Sequence, residues 1–182
     1  MKDLSMHIMD IMQNSVVAGA SLITMEIAES RKDNFWQFSI SDDGCGMDAN
    51  TLAKVTDPYY TSRTTRKVGL GIPLLKQNAE RCGGFLNMES EPGKGTTLVS
   101  RFELTHLDRP VLGDVPGVIV LTVSAHPEIE FVYTHKTNDG EFVFDTREIK
   151  EVLEGMPLSD PKIIRYLREM IEENLLEINY SK

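Results

Sequence analysis

Apolar side chains in the first part of the chain recur at helical spacing and then at strand spacing. The helical set is Leu4, Ile8, Ile11, Met12 and Val16. This spacing predicts an amphipathic helix over about residues 3–17, ended by Ala18-Gly19-Ala20. Two runs of strict alternation follow, from Ile23 to Ala28 and from Trp36 to Ile40, and each predicts a strand with one buried face. The polar turn between the two strands makes them a hairpin.

The middle of the chain adds helices and a second pair of strands. The predicted elements are a helix over 48–55, a helix over 73–82, and strands over 85–89 and 96–104 that flank a turn at Glu91–Gly95. Residues 59–68 are polar and basic without a period, which indicates a loop, and Gly83-Gly84 ends the second helix. This order of elements predicts an α/β two-layer sandwich, in which a mixed sheet carries helices on one face.

The composition changes after residue 104. Residues 105–117 contain two prolines and two glycines, which is typical of a linker. The predicted elements beyond it are a strand at Val118–Ser124, a hairpin around Asn138-Asp139-Gly140, a helix from Thr146 and a last helix from Pro161. We therefore expect a domain over 1–104, a linker over 105–117, and a small α+β extension over 118–182. The extension is either a separate module or a continuation of the first sheet.

Charge and composition narrow the functional classes. The 182 residues carry a formal net charge of -9, so we expect no large nucleic-acid footprint, which requires clustered basic side chains. No apolar run approaches the roughly 20 residues of a transmembrane helix, and no signal peptide is visible. Cys45 and Cys82 lie in no metal-ligand spacing and indicate a reduced, cytoplasmic protein.

Four short patterns in fixed order carry the candidate chemistry. They are Asp10–Asn14, Asp42–Met47, Gly69–Gly71 and Gly93–Thr97. Asn14 offers a neutral oxygen to a hard cation, and Asp10 lies one helical turn earlier. The Asp42 carboxylate can only accept hydrogen bonds, so it selects an amine over a carbonyl. Two glycines directly before a helix expose backbone N–H groups to an anion. Together these features indicate a nucleotide site.

The four patterns resemble the N box and the three glycine boxes of the GHKL superfamily, whose Bergerat-fold domain binds ATP in DNA gyrase B, histidine kinases and MutL. The resemblance covers about residues 1–104. Residues 14–21 look like the segment that follows the N box in MutL-type members, whereas Asp57–Arg63 resembles the F box of histidine kinases. The chain thus combines features of two branches of the superfamily.

The resemblance implies a role for each residue at the site. It implies that Asn14 binds Mg²⁺ and that Asp42 binds the adenine amino group, with a water shared by Thr96. The remaining residues expected to contact nucleotide are Gly44, Gly46, Met47, Gly69, Leu70 and Gly71. Arg63 lies in the segment that corresponds to the ATP lid and is a candidate γ-phosphate contact.

The functional roles of two residues on the first helix have more than one interpretation. ATP-hydrolysing members place Glu where this chain has Asp10, and the shorter side chain reaches less far toward a water as general base. His7, one turn from Asp10, is a candidate proton carrier or phosphoacceptor; the alternative is a helix-surface histidine without such a role.

The resemblance leaves three functions open. Only nine residues precede Asp10, so we expect no phosphoacceptor hairpin of the conventional sensor-kinase type. The first function is a stand-alone regulatory kinase that phosphorylates a separate protein partner, and the F-box resemblance favours it. The second is an ATP-hydrolysing conformational switch, and the third is a nucleotide-dependent binding module without useful turnover. A homodimer is compatible with each of the three.

Overall fold

The computed structural model describes residues 3–57 and 71–181. The helices in these ranges are α1 (Leu4–Val17), α2 (Ala49–Val55), α3 (Gly71–Arg81), α4 (Val115–Ala125), α5 (Thr146–Val152) and α6 (Pro161–Glu177). The strands are β1 (Leu22–Ser30), β2 (Phe35–Asp42), β3 (Phe85–Glu91), β4 (Gly95–Glu103), β5 (Glu130–Lys136) and β6 (Glu141–Asp145). Among the described helices, none is both long and apolar enough to cross a membrane.

The strands form one mixed sheet in the order β3-β4-β2-β1-β5-β6. β1 and β5 run parallel, and the other neighbouring pairs are antiparallel. The C-terminal hairpin β5–β6 therefore continues the sheet of residues 1–104, which is the second of the two alternatives for the extension. The predicted division into domains at residues 105–117 stays a prediction.

One face of the sheet is buried under the helices. On β1, Ile23, Met25 and Ile27 are fully buried, and their register partners on β2 and β5 point to the same side. The opposite face carries half-exposed polar side chains such as Gln37 and Ser39. This alternation confirms the predicted α/β sandwich with helices on one face of a mixed sheet.

The predicted strand at Val118–Ser124 is wrong, because these residues lie in α4. The Asp114 side chain caps this helix by accepting a hydrogen bond of 2.9 Å from the Gly117 backbone N–H. α4 packs against both α1 and α6, so most of its surface is buried. A helix enclosed in this way has an almost continuous apolar sequence, which periodicity cannot distinguish from a buried strand.

The segment predicted as a linker holds the start of α1. The carbonyl groups of Val111 and Leu112 accept hydrogen bonds of 2.9 Å and 2.8 Å from the backbone N–H groups of Leu4 and Ser5. These N–H groups belong to the first turn of α1 and have no partner within the helix. The segment thereby fixes one end of the helix that carries Asp10 and Asn14.

A buried chain of hydrogen bonds joins β1, β5 and the C-terminal residues at the end of the sheet remote from Asp42. His135 contacts the Tyr133 hydroxyl through Nδ1 at 2.7 Å and Oε1 of Glu29 through Nε2 at 2.8 Å. The backbone N–H of Ser181 donates to both oxygens of the same carboxylate at 2.9 Å. The side chains of Glu29, Tyr133 and His135 therefore satisfy one another in the core.

Candidate nucleotide site

Asp42 stands at the end of β2 between two neighbouring strands. Its register partners are Ile23 on β1 and Thr96 on β4. The carboxylate oxygen Oδ2 accepts a hydrogen bond of 2.6 Å from the Ser15 hydroxyl, and Oδ1 accepts one of 3.0 Å from the Gly44 backbone N–H. Each carboxylate oxygen has two acceptor positions, so Asp42 is held in a fixed orientation and can still accept from an amine.

Two glycines allow close contact between the Asp42 loop (Asp42–Met47) and the Gly93 turn (Glu91–Gly95). Gly46 has a φ of 64°, and a Cβ added there would lie 2.0 Å from the carbonyl oxygen of Glu91. Gly95 has a φ of 101°, and its Cβ would lie 1.9 Å from the carbonyl oxygen of Asp42. Side chains do not fit at these positions, so the two motifs need glycine for their mutual packing.

Backbone hydrogen bonds bind the Asp42 loop to its two neighbours. The Cys45 N–H donates to the carbonyl oxygen of Ala18 at 2.9 Å, directly after α1. The Cys45 carbonyl oxygen accepts from the Gly93 N–H at 2.8 Å. Three of the four sequence motifs, those of Asn14, Asp42 and Gly93, therefore meet at one end of the sheet.

Ser90 is a site residue that the sequence analysis missed. Its hydroxyl oxygen accepts a hydrogen bond of 2.8 Å from the Met47 N–H and lies 2.9 Å from the Thr96 hydroxyl. Ser90 and Thr96 are directly paired across β3 and β4. The predicted turn at Glu91–Gly95 contained the signal, because the residues that flank a hairpin turn face one another. Thr96 thus has a fixed position next to Asp42.

Ser15 and Ser21 are two further residues of the site that were not predicted. Ser15 is buried on α1 and donates to Asp42, as described above. The Asp43 carboxylate accepts hydrogen bonds from the Ser21 hydroxyl, from the Ser21 N–H at 2.7 Å and from the Leu22 N–H at 2.9 Å. The hydrogen bonds from the Ser21 side chain and the Leu22 backbone hold the pKa of Asp43 below its ordinary value. Asp43 therefore connects the Asp42 loop to the start of β1.

Asn14 and Asp10 lie one turn apart on α1. The Asn14 side chain is exposed, and among the described residues no hydrogen bond engages its amide. Mg²⁺ is usually held by one or two protein oxygens together with substrate phosphates, and a free, exposed amide oxygen fits this mode. Asp10 is half-buried. Both residues lie on the helix that also carries Ser15, the hydrogen-bond partner of Asp42.

The third motif is described only from Gly71 onwards. Gly71 is the first residue of α3 and is buried. The predicted contacts Gly69, Leu70 and Arg63 lie outside the described residues, so their assignments stay predictions.

His7 is buried, with an exposed fraction of 1%, so the helix-surface alternative for this residue is wrong. Burial lowers the pKa of His7, against the opposing influence of Asp10 and of the Gly71 backbone. Burial therefore favours the neutral form of the ring.

Comparison with known proteins identifies the family. A family model described as histidine kinase-, DNA gyrase B- and HSP90-like ATPase matches residues 2–106. This is more than half of the chain, and the chain belongs to this family. The resemblance to the GHKL superfamily is thereby confirmed.

Curated relatives match part of the chain. A putative sensor protein of Shewanella frigidimarina is 35% identical over 77 residues, which are 42% of this chain and 12% of that protein. The non-motile and phage-resistance protein of Caulobacter vibrioides is 34% identical over 95 residues, with shares of 48% and 11%. Sensor kinase CckA of Brucella abortus is 38% identical over 61 residues, with shares of 33% and 6%. The chain spans about a tenth or less of the length of these relatives.

Solved structures share the fold. The N-terminal domain of a DNA repair protein has a TM-score of 0.60 at 16% identity, and the match covers 90% of this chain and 56% of that one. The Aquifex aeolicus MutL ATPase domain complexed with ADP has a TM-score of 0.51 at 17% identity, with shares of 85% and 70%. These similarities show the α/β fold of the GHKL ATPase domain.

Proposed function

We propose that this chain binds Mg-ATP between α1, the Asp42 loop and the start of α3, and transfers the γ-phosphoryl group to a separate protein partner. The observation that carries the proposal is the oriented Asp42 carboxylate. It lies at the end of a sheet strand, held by Ser15 and Gly44, and retains acceptor capacity. The family membership of the chain supports ATP as the ligand.

Asp42 gives the site its base preference. Its carboxylate accepts a hydrogen bond from the amino group of adenine, whereas guanine presents a carbonyl oxygen at the corresponding position and is repelled. Thr96, held by Ser90, shares a water with Asp42. Gly44, Gly46 and Met47 form the backbone surface against which the base lies. ATP is therefore preferred over GTP.

The phosphates extend toward the start of α3. The Asn14 amide oxygen would hold the magnesium ion, which would neutralise phosphate charge and orient the leaving group. The family resemblance assigns backbone N–H groups at Gly69, Leu70 and Gly71 to the phosphate oxygens, and the positive end of the α3 dipole would add to the attraction. The same resemblance assigns Arg63 to the γ-phosphate.

Two observations support phosphoryl transfer to a protein over hydrolysis. Two of the three relatives above are named as a sensor protein and a sensor kinase. Asp10 is one methylene group shorter than the glutamate of hydrolysing members, so it reaches less far toward an attacking water. A protein acceptor brings its own nucleophile and has less need of this base. We also propose a cytoplasmic location, supported by two free cysteines.

The second candidate is an ATP-hydrolysing conformational switch, favoured by the structural similarity to the MutL ATPase domain. A binding module without turnover is the third.

Incubation with γ-labelled ATP and a cell extract distinguishes these functions. Label on a protein band supports the kinase, and release of free phosphate by the pure chain supports the ATPase. The absence of both products supports the binding module. The Asn14→Ala variant and a magnesium-free reaction are matched controls, and both should abolish the magnesium-dependent signal. Label transfer that persists in the Asn14→Ala variant would contradict the assigned metal ligand.

A further inference from the structure

His7 is a buried polar side chain that the proposed function does not use. Neither ring nitrogen has a hydrogen-bond partner among the residues that the structure describes. The ring lies near enough to the Gly71 backbone for that backbone to influence its pKa, but hydrogen-bond geometry is not reached. A buried polar group without a partner destabilises the folded protein. The unpartnered His7 ring therefore destabilises the fold, and a functional role at this position would explain why a histidine is present.

The position of His7 along α1 relates it to the phosphates. Ser15, which holds Asp42, lies eight residues further along the same helix, and a rise of 1.5 Å per residue separates the two by about 12 Å. This length is comparable to that of an extended nucleoside triphosphate. Asn14 and Asp10 lie between them. A nucleotide that places its base at Asp42 and runs along α1 therefore brings its phosphates toward the end of the site where His7 meets Gly71.

The start of α3 is well suited to receive an anion, provided that its backbone is correctly oriented. The first N–H groups of a helix have no partner within it, and Pro73 contributes none. Gly71 has no side chain that could restrict its own backbone. α1 packs against α3, and the buried His7 ring on α1 lies close enough to the Gly71 backbone to interact with it.

We propose that His7 is a positioning residue for the nucleotide phosphates: with nucleotide bound, its ring N–H donates a hydrogen bond to the Gly71 carbonyl oxygen and thereby fixes the direction of the N–H groups at the start of α3. The inference rests on the proposed nucleotide site. His7 does not contact the phosphates and acts through Gly71. Nucleotide binding gives the unpartnered ring its hydrogen bond, and the ring in turn favours the bound form.

Two substitutions separate this role from simple packing. His7→Phe keeps a flat ring in the core but cannot hydrogen-bond, whereas His7→Gln keeps a donor and an acceptor. Ile8→Val is the matched control, because Ile8 is equally buried on the same helix but apolar. Affinities for Mg-ATP, Mg-ADP and adenosine are measured by calorimetry for each variant, and thermal denaturation reports stability.

We expect His7→Phe to lower the affinities for Mg-ATP and Mg-ADP about 3–10-fold, which is the scale of one hydrogen bond, and to leave the affinity for adenosine unchanged. Its melting temperature should not fall, since an unpartnered polar group is removed. His7→Gln and Ile8→Val should bind like the wild type. Equal Mg-ATP affinity in His7→Phe, or equal losses for ATP and adenosine, would overturn the inference. Absence of ATP binding in the wild type would instead reject the proposed function.

A spectroscopic measurement on the wild type keeps the test decisive if His7→Phe does not fold. The chain has four histidines, so the ring nitrogen signals of ¹⁵N-labelled protein can be assigned individually. Saturation with Mg-ADP should shift the His7 signals to those of a hydrogen-bonded neutral ring, and adenosine should not. Unchanged His7 signals at saturating Mg-ADP would overturn the proposal.

Discussion

The Ser15 hydroxyl donates a hydrogen bond of 2.6 Å to the Asp42 carboxylate, across 27 positions of sequence. The bond joins the helix that carries Asn14 to the strand end that carries the proposed base contact. It fixes one carboxylate oxygen, while the Gly44 N–H fixes the other. The orientation of Asp42 is thus set before any ligand arrives.

Removal of the Ser15 hydroxyl tests this preorganisation. Ser15→Ala should weaken ATP binding about 3–10-fold, because Asp42 loses one of its two orienting hydrogen bonds. Ser41→Ala is the matched control, since Ser41 makes a comparable bond of 2.8 Å to Thr97 in the adjacent strand pair. Calorimetry with Mg-ATP measures both variants. Equal affinities for the two variants would argue against a role of Ser15 in orienting Asp42.

The glycines of the two loops provide a test of their contact. Gly46→Ala should destabilise the fold by more than Gly93→Ala, because only at Gly46 would the new Cβ clash with a backbone oxygen. Gly93 has a similar φ of 76° but open space around it, so its substitution costs about 1–2 kcal/mol of left-handed strain. Urea denaturation followed by the fluorescence of Trp36, which is the single tryptophan and fully buried, measures both.

Gly46→Ala should also lower the affinity for ATP, since the Asp42 loop must move away from Glu91. Gly93→Ala should leave this affinity within about twofold, a difference of less than 0.5 kcal/mol. Equal unfolding free energies for the two variants would mean that the loops do not pack as described.

Asp10 distinguishes transfer from hydrolysis. The wild type should hydrolyse ATP slowly, and Asp10→Asn should change phosphoryl transfer to a protein acceptor little. Asp10→Glu should increase the release of free phosphate, because the longer side chain reaches further toward water. Phosphate release is followed in a coupled assay with Asn14→Ala as the blank. Fast wild-type hydrolysis that falls about 10²–10⁴-fold in Asp10→Asn would instead establish the ATPase switch.

Glu29 is expected to support the fold at the far end of the sheet without affecting the nucleotide. Glu29→Ala leaves the buried His135 ring and the Ser181 N–H without their partner, at a cost of about 1–3 kcal/mol for each. Glu26→Ala is the control on the same strand, because its 2.7 Å ion pair with Lys136 is partly exposed and contributes about 0–1 kcal/mol.

The measurement belongs at neutral pH. Burial raises the pKa of Glu29, but hydrogen bonds from His135 and Ser181 outweigh this effect and hold the pKa below its ordinary value of 4.5. The stabilisation is therefore fully present above the ordinary carboxyl pKa and is lost as the pH falls through the lowered one. Equal unfolding free energies for the two variants at pH 7 would show that the buried network does not stabilise the fold.

The periodic parts of the sequence were sufficient to predict most of the fold. The alternation of β1 and β2 and the apolar stripe of α1 are local patterns, and the structure confirms the elements they predicted. α4 was predicted as a strand because it is covered on several sides, so its sequence lost the period that distinguishes a helix. The parallel pairing of β5 with β1 is a long-range contact that no local pattern encodes.

The residues of the candidate site likewise divide into those that a local motif predicts and those that it does not. Asp42, Gly46 and Asn14 were predicted because their motifs carry a recognisable order. Ser15 was not predicted as a partner of Asp42, since the bond depends on how α1 lies across the end of β2. Ser90 was within reach, because the predicted turn already placed it opposite Thr96. Ser15 was therefore missed because its hydrogen bond to Asp42 depends on tertiary packing. Ser90 was missed because the pairing of residues that flank a hairpin turn was not applied to it.

The measurement that tests the central claim most directly is a calorimetric titration of the wild type and Asp42→Asn with ATP and GTP in the presence of Mg²⁺. The wild type should bind ATP more tightly than GTP. Asp42→Asn, which keeps the size of the side chain but can present a donor to the adenine amine, should lose about 1–3 kcal/mol of ATP binding. Asp42→Asn that binds ATP as tightly as the wild type, or a wild type that binds both nucleotides equally, would contradict the account.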